Sequence, residues 1–373
     1  MAKKRVTTEQ IRTALAEPLP PDPVFKPEDF LSLGSVPMNL LCGGRTSGGL
    51  PKGIMLWMIG HSNTGKSWLK NLIFAEAAHT DHFAEYDLID DNAERGGLMN
   101  VAEHFGQATA DRIIPPAGTQ ADPQYSTTVQ SFYRNVERAF KRGRPFIYVL
   151  DSNDALTGEK EDKEFDKEVA KDAAPEKGSY GMEKAKVHSN RLRGVCNRLK
   201  ETGSILVVIS QTRSNIGFDA TFNPDTVAGG KALEFHARLV FWMSVRERMK
   251  KRIKGKDREV GTVVQVKLTK NHVTGRRGKT EFVFFDAAGV DYVGSMVRFL
   301  VEEGHWKATG GEDGKGFLKK KVTAPELDVS MLFDDLVEYV EENNLEKQVR
   351  KVVKSVWDAI IAGSTVTRKR RYL

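Results

Sequence analysis

The stretch Gly60-His61-Ser62-Asn63-Thr64-Gly65-Lys66-Ser67 constrains this chain more than any other. It satisfies G-x-x-x-x-G-K-[ST] at every fixed position, and its flanks are those the motif requires. Ile54 to Ile59 before it is an apolar run of strand length, and Trp68 to Ala78 after it carries apolar residues at helical spacing. Strand, glycine loop and helix together make a phosphate cradle. Backbone N–H groups and the helix N-terminus converge on an anion, and side chains would obstruct the approach. The pattern predicts that Lys66, exposed in the nucleotide-free cradle, reaches the β/γ-phosphates of ATP and that Ser67 places its hydroxyl on Mg²⁺.

Further along, Phe83 to Asp90 is expected to be a strand ending in acid groups, with Asp91 to Gly97 as a polar turn. Helical spacing returns from Tyr125 to Phe140. Pro145 to Asp151 is then an apolar strand that delivers a carboxylate beside the phosphate loop, where Asp151 can hold Mg²⁺ through water. Residues 159–177 are nearly all charged, which predicts a solvated, mobile loop. Met182 to Lys200 reads as a long helix closed by Gly203, and Ser204 to Gln211 as a continuous apolar strand of the kind a parallel sheet buries on both faces. Such βα alternation implies a wound α/β core, with Lys66, Asp90, Asp151 and Gln211 gathered at the strand carboxyl ends.

The segment from Gln211 to Phe235 carries glycines, a proline, cations at both ends and two aromatics between them. Periodicity makes it a loop, and a loop of this length inside a compact domain is usually functional. Rings that stack on bases beside cations that meet phosphates suit single-stranded nucleic acid; an ordinary lid is the alternative.

Here the sequence resembles RecA-type recombinases of bacteria and phages. The resemblance rests on the phosphate loop, the strand ending at Asp151, Ser210-Gln211-Thr212-Arg213, Asn223-Pro224-Asp225-Thr226, and Gly229-Gly230-Lys231-Ala232-Leu233-Glu234-Phe235. Val266 to His272 resembles the family's K-N-K strand, and Ala185 to Asn190 the helix after its first DNA-binding loop; the likeness spans roughly residues 33–310. It implies a RecA-like α/β ATPase core with a mostly parallel central sheet, and an ATP-dependent protein that forms helical filaments on single-stranded DNA and exchanges strands with homologous duplex DNA. By the same resemblance Gln211 senses the γ-phosphate, Lys270 and His272 reach a neighbour's nucleotide, and Phe235 lies at the subunit interface. Arg213, Asn215, Phe222, Gly229, Gly230 and Lys231 then contact DNA. The family's water-activating Glu stands two positions after the strand's Asp, where this chain has Asn92; Glu94 is the candidate instead. Ser210 for an Asn, His272 for a Lys and a longer 159–177 segment mark a divergent, phage-encoded member. A hexameric helicase on the same fold and a nucleotide-switched scaffold are the competing functions.

The ends are less constrained. Residues 1–32 form an expected arm, with a capping box at Thr7-Thr8-Glu9-Gln10 opening a short helix and Pro18, Pro20, Pro21 and Pro23 stiffening the connector beyond it. It is either a leader without fixed structure or an arm that docks on a neighbouring subunit. The core is expected over 33–295, and a partly helical C-terminal domain with a basic tail over 296–373, its helices at Asp328–Glu342 and Leu345–Ala362 and its Trp306 and Trp357 internal. Two distant cysteines, Cys42 and Cys196, exclude a disulfide framework. With no membrane-length apolar run and no signal-like N-terminus, the expected place is the cytoplasm of a bacterial or phage-infected cell, with no membrane partner. The net charge of +7 permits a polyanionic partner, and filament formation leaves room for a loader or a single-strand-binding protein.

Overall fold

The computed structural model describes residues 25–95, 99–171, 182–214, 225–227, 230–310 and 320–364. The expected N-terminal helix and its prolines lie outside them, as do Asn215, Phe222 and Gly229 of the loop and the basic tail.

The core is one twisted sheet. Its central strands are β1 (Met55–Gly60), β2 (Asp87–Asp91), β3 (Phe146–Leu150) and β4 (Ile205–Ser214), parallel in the order β1-β4-β3-β2. The short β5 (Asp225–Val227) pairs antiparallel with the end of β4. On the other side of β1 lies β6 (Leu239–Ile253), parallel to it, followed by the antiparallel β7 (Lys256–Asn271) and β8 (Gly278–Phe285). Successive strand residues point to opposite faces, so a sheet covered on both sides needs unbroken apolar runs. Leu56, Met58, Ile147, Val149, Val207 and Ile209 enter one core with helices α1 (Val36–Gly43) and α2 (Lys66–Ala78). Met55, Trp57, Ile59, Tyr148, Leu206 and Val208 enter the other, with α3 (Val129–Lys141), α5 (Met182–Thr202) and α6 (Gly230–His236).

Three expectations are corrected. The charged run is helical over α4 (Glu159–Lys171), not a mobile loop, while residues 172–177 lie outside the described residues. Glu and Lys are good helix formers, and the acids Glu159, Glu161 and Asp162 occupy the first turn, where the helix dipole favours them. Arg134 pairs with Glu159 at 2.6 Å and ties that turn to α3. The strand expected from Phe83 begins only at Asp87, because Phe83 ends a 3₁₀ turn and is buried against Tyr86, with ring centroids 4.7 Å apart. Between Gln211 and Phe235 the chain is not all loop: Gln211 to Ser214 prolong β4, Asp225 to Val227 pair with them, and α6 starts at Gly230.

The C-terminal unit contains α7 (Tyr292–Glu302), a three-stranded sheet of β9 (Lys307–Thr309), β10 (Lys321–Ala324) and β11 (Val329–Leu332), then α8 (Phe333–Glu342) and α9 (Glu346–Ser364). The first tail helix starts later than the sequence suggests, since Val329 to Leu332 pair with β10. The boundary expected at 295/296 falls within α7, and α1 gives Val36 and Leu40 to the C-terminal core. Trp306 is wholly internal, its Nε1 donating to Glu326 at 2.7 Å, and Trp357 packs against both cores. Among the described residues no helix is long and apolar enough to cross a membrane. Trp306→Ala is expected to cost about 3–5 kcal/mol, read as a lower urea midpoint at unchanged slope. An unshifted midpoint would mean that this core does not depend on the indole.

Candidate nucleotide site

The register of β4 on β1 places Gly60 opposite Gln211, so the phosphate loop opens beside the polar end of β4. Two positions there admit glycine alone. A Cβ on Gly60 would stand 2.4 Å from the Met243 carbonyl oxygen, and Gly65 holds φ at +79° with Phe284 and Val264 3.0 Å from where its Cβ would be. Thr64 Oγ1 donates to the His61 carbonyl at 2.8 Å and tightens the loop. Lys66 is not exposed as expected. It is buried, with Nζ donating to the Gly60 carbonyl at 2.8 Å and the His61 carbonyl at 2.6 Å, so the loop's own oxygens satisfy the ammonium. Burial lowers its pKa, against the opposing pull of Asp151, Glu94 and Asp154.

Ser67, Glu94, Asp151 and Gln211 line the same cavity as the loop, of about 440 Å³. Ser67 Oγ stands 3.4 Å from Asp151 Oδ2. Among the described residues no three His, Cys, Asp or Glu groups form a metal cluster. One hydroxyl and one carboxylate still fit Mg²⁺, which is commonly held by one or two carboxylates, waters and substrate phosphates. Gln211 bridges the site: its Nε2 donates to Glu94 Oε1 at 2.7 Å, and its Oε1 accepts from Ser62 Oγ at 3.2 Å. Ser152 Oγ donates to the same Glu94 oxygen. Both bonds fall on Oε1. Asn92 is buried in the turn, and its carbonyl accepts from the Arg95 N–H.

Lys270 and His272 are elsewhere. Asn271 is level with Leu239, and Leu239 with Leu56, so both residues sit at the amino end of β1. The phosphate loop starts about 13 Å further on at ~3.3 Å per residue. Lys270 Nζ donates to the Glu234 and Phe235 carbonyls that end α6, at 2.6 and 2.8 Å. His272 Nδ1 lies 3.1 Å from Arg238 Nη1; partial burial, then Lys270, Arg238 and Arg277, hold its pKa below the ordinary value. Phe235 is 77% exposed. Of the DNA candidates, Arg213 lies in β4 opposite Thr226, Gly230 opens α6 and Lys231 is exposed on it.

The family model for the RecA N-terminal domain matches residues 26–291. The chain belongs to the RecA family. It is 28% identical over 324 residues to "Protein RecA" of Campylobacter fetus, covering 82% of this chain and 84% of that protein. Against "Protein RecA" of Gloeobacter violaceus it is 29% identical, covering 75% and 69%, and against that of Nitratiruptor 25%, covering 88% and 92%.

Several groups in this RecA-family site escaped sequence reasoning. Lys70 Nζ lies 3.0 and 3.2 Å from the two Asp90 oxygens and 3.1 Å from Asp151 Oδ2. Burial alone would lower its pKa, but Asp90 and then Asp151 outweigh it and hold the ammonium above its ordinary range. The signal was present, since residue 70 is one helical turn beyond Lys66 and shares its face. Arg248, Thr262 and Asp286 reach the cavity from β6, β7 and the end of β8, and Trp68 stacks on Phe284 with centroids 4.9 Å apart. Nothing local in the sequence brings them there. A larger cavity of about 820 Å³ between α3 and α5 holds none of these groups.

Behind the site runs a buried polar chain. Tyr133 Oη lies 2.7 Å from His188 Nδ1, His188 Nε2 lies 2.9 Å from Asn153 Oδ1, and Lys184 Nζ donates to the Asn153 carbonyl at 3.0 Å. Next to Asn153, Asp154 Oδ2 accepts from the Gln211 N–H at 2.7 Å.

This geometry sets two expectations. Glu94→Gln should bind ATP normally and hydrolyse it about 10²–10⁴-fold more slowly; near-normal turnover would remove Glu94 from the role of base. Burial, then the Lys184 charge, pushes His188 down to about 3. An unfolded histidine takes its proton near ~6.5, so below that pH the unfolded chain binds more protons and the fold loses stability, by up to about 1.4 kcal/mol per pH unit from this residue. His188→Gln should flatten the fall in urea-derived stability between about pH 6.5 and 5, and an unchanged slope would show that the residue titrates freely.

Proposed function

We infer that this protein is an ATP-dependent recombinase, a DNA-dependent ATPase that assembles along single-stranded DNA and exchanges strands with homologous duplex. The observation that carries the reading is Gln211, which touches Ser62 of the phosphate loop and Glu94 at once and lies on the strand whose continuation, Arg213 and Ser214, pairs with β5. One side chain thus joins the nucleotide to the segment that the family likeness assigns to DNA.

The residues then have distinct tasks. Backbone N–H groups from Gly60 to Ser67 seat the phosphates, and Lys66 exchanges its loop carbonyls for phosphate oxygens. Ser67 and Asp151 are the groups that would hold magnesium, whose chemistry there is to neutralise charge on the phosphoryl oxygens. Glu94 orients a water and takes its proton, while Gln211 and Ser152 fix the carboxylate by bonding its other oxygen. Arg213, Asn215, Phe222, Gly229, Gly230 and Lys231 form the proposed DNA contact, by stacking and phosphate pairing together.

Lys270 and His272 cannot serve their own protomer's nucleotide from the opposite end of the sheet, which supports their action on a neighbour's. The exposed Phe235 beside them suits the same interface. In the free protomer His272 is crowded by Lys270, Arg238 and Arg277, which disfavour its charge. A neighbour's triphosphate would reverse that balance. Assembly then takes up a proton and should strengthen as pH falls from about 8 to 6. Light scattering on single-stranded DNA with ATP should show this trend. His272→Lys should remove most of it, and Lys270→Ala should lose assembly at every pH. Negative-stain images of the wild type should show open helical filaments; closed hexamers would favour a helicase, and identical pH profiles for wild type and His272→Lys would leave His272 outside the interface.

A further inference from the structure

Beside the nucleotide cavity, joined to it through Asp151, stands a cation that phosphate binding does not require. Lys70 rises from α2 on the same face as Lys66, but its Nζ turns away from the loop and settles between Asp90 at the end of β2 and Asp151 just beyond β3. Its side chain is only 4% exposed, against 20% for Asp90 and 11% for Asp151. The oxygen it holds on Asp151 is Oδ2, the one that also faces Ser67 Oγ. Without Lys70, two carboxylates would meet at the ends of strands β2 and β3 with no cation between them. Such a pair attracts a divalent ion by itself.

Resting on the nucleotide-site reading above, we propose that Lys70 is a positioning residue, a resident cation that occupies the Asp90–Asp151 pair and so makes magnesium binding depend on the nucleotide. With Lys70 in place the two carboxylates share one positive charge, and a metal gains enough ligands only when phosphate oxygens arrive with it. The lysine also fixes Asp151 Oδ2 toward Ser67, so the carboxylate is set before the nucleotide enters. If the lysine were purely structural, its removal would let the two carboxylates swing apart or take up a proton, and no affinity for metal would appear.

Manganese binding, followed by electron paramagnetic resonance on the full chain with and without ATP, separates these roles. Nucleotide-free wild type should bind Mn²⁺ weakly, and ATP should tighten binding strongly. Lys70→Met should bind Mn²⁺ without nucleotide at least about tenfold more tightly than wild type, because a charge in contact with the pair has gone. Lys70→Gln is the second variant, keeping hydrogen bonds while losing charge, and should behave alike even if the methionine variant folds poorly. Lys70→Met/Asp90→Asn should return nucleotide-free binding to the wild-type level, since one carboxylate remains. Wild-type nucleotide-free affinity in folded Lys70→Gln would overturn the proposal while leaving the nucleotide site intact. Wild type that gains no Mn²⁺ affinity from ATP would overturn both.

Discussion

The pairing of β4 with β1 is the constraint on which the site depends. It sets Ile59 opposite Ser210 and Gly60 opposite Gln211, and the Trp57 indole donating to Ser210 Oγ at 3.0 Å pins that register from within the core. A slip of one residue would turn every side chain of β4 to the other face. Val207 and Ile209 would leave the core beneath α2, and Gln211 would point away from Ser62 and Glu94. The serine at 210, a departure from the family pattern, is therefore matched to the buried indole N–H of Trp57, which needs an acceptor within the core.

How much of this was legible in the sequence depends on how local the cause is. The phosphate loop, the strand ending at Asp151 and the apolar run into Gln211 are local patterns, and the structure places them together at one end of the sheet. Lys66 lies in the right place but is folded onto its own loop, since a motif fixes the position of the residue and not the contacts its ammonium makes. The helix at Glu159–Lys171 was hidden because charge density and helix propensity come from the same residues, Glu and Lys, and composition alone cannot separate a solvated loop from a solvated helix. Arg248, Asp286 and Asp154 reach the site through strand register and a turn, which no spacing rule records.

The longest pair of strands adds a further electrostatic feature. In the β6–β7 ribbon, Lys250 faces Glu259 and Arg252 faces Asp257, so one face is charge-balanced across the strands. On the other face Lys251 meets Arg258 and Ile253 meets Lys256. Like charges directly opposite destabilise a pair of strands. The Lys254-Gly255 turn, with both residues at positive φ, carries the ribbon regardless, since such a turn matches the twist of the flanking strands. The ribbon is thus stable through its turn and its buried base, where Val263, Val264 and Val266 pack, and its tip is free to carry charge that packing would not select.

Two ends of one sheet consequently face opposite tasks. At the carboxyl end stand the phosphate loop with Lys66 and, beside it, Lys70 holding two acids that would otherwise repel. At the amino end, Arg238 and Lys270 concentrate positive charge beside the carbonyls that end α6, a helix too short to offset it through its own dipole, and hold His272 toward its neutral form. With a triphosphate held at the carboxyl end, the proposed head-to-tail contact would set that anion against a neighbour's cations. Repetition of a heterologous contact that does not close gives an open helical assembly. The same polarity that wound α/β folds use to place a ligand at the strand carboxyl ends leaves the opposite end of the sheet clear of the phosphate loop, which is what the proposed contact with a neighbour's site requires.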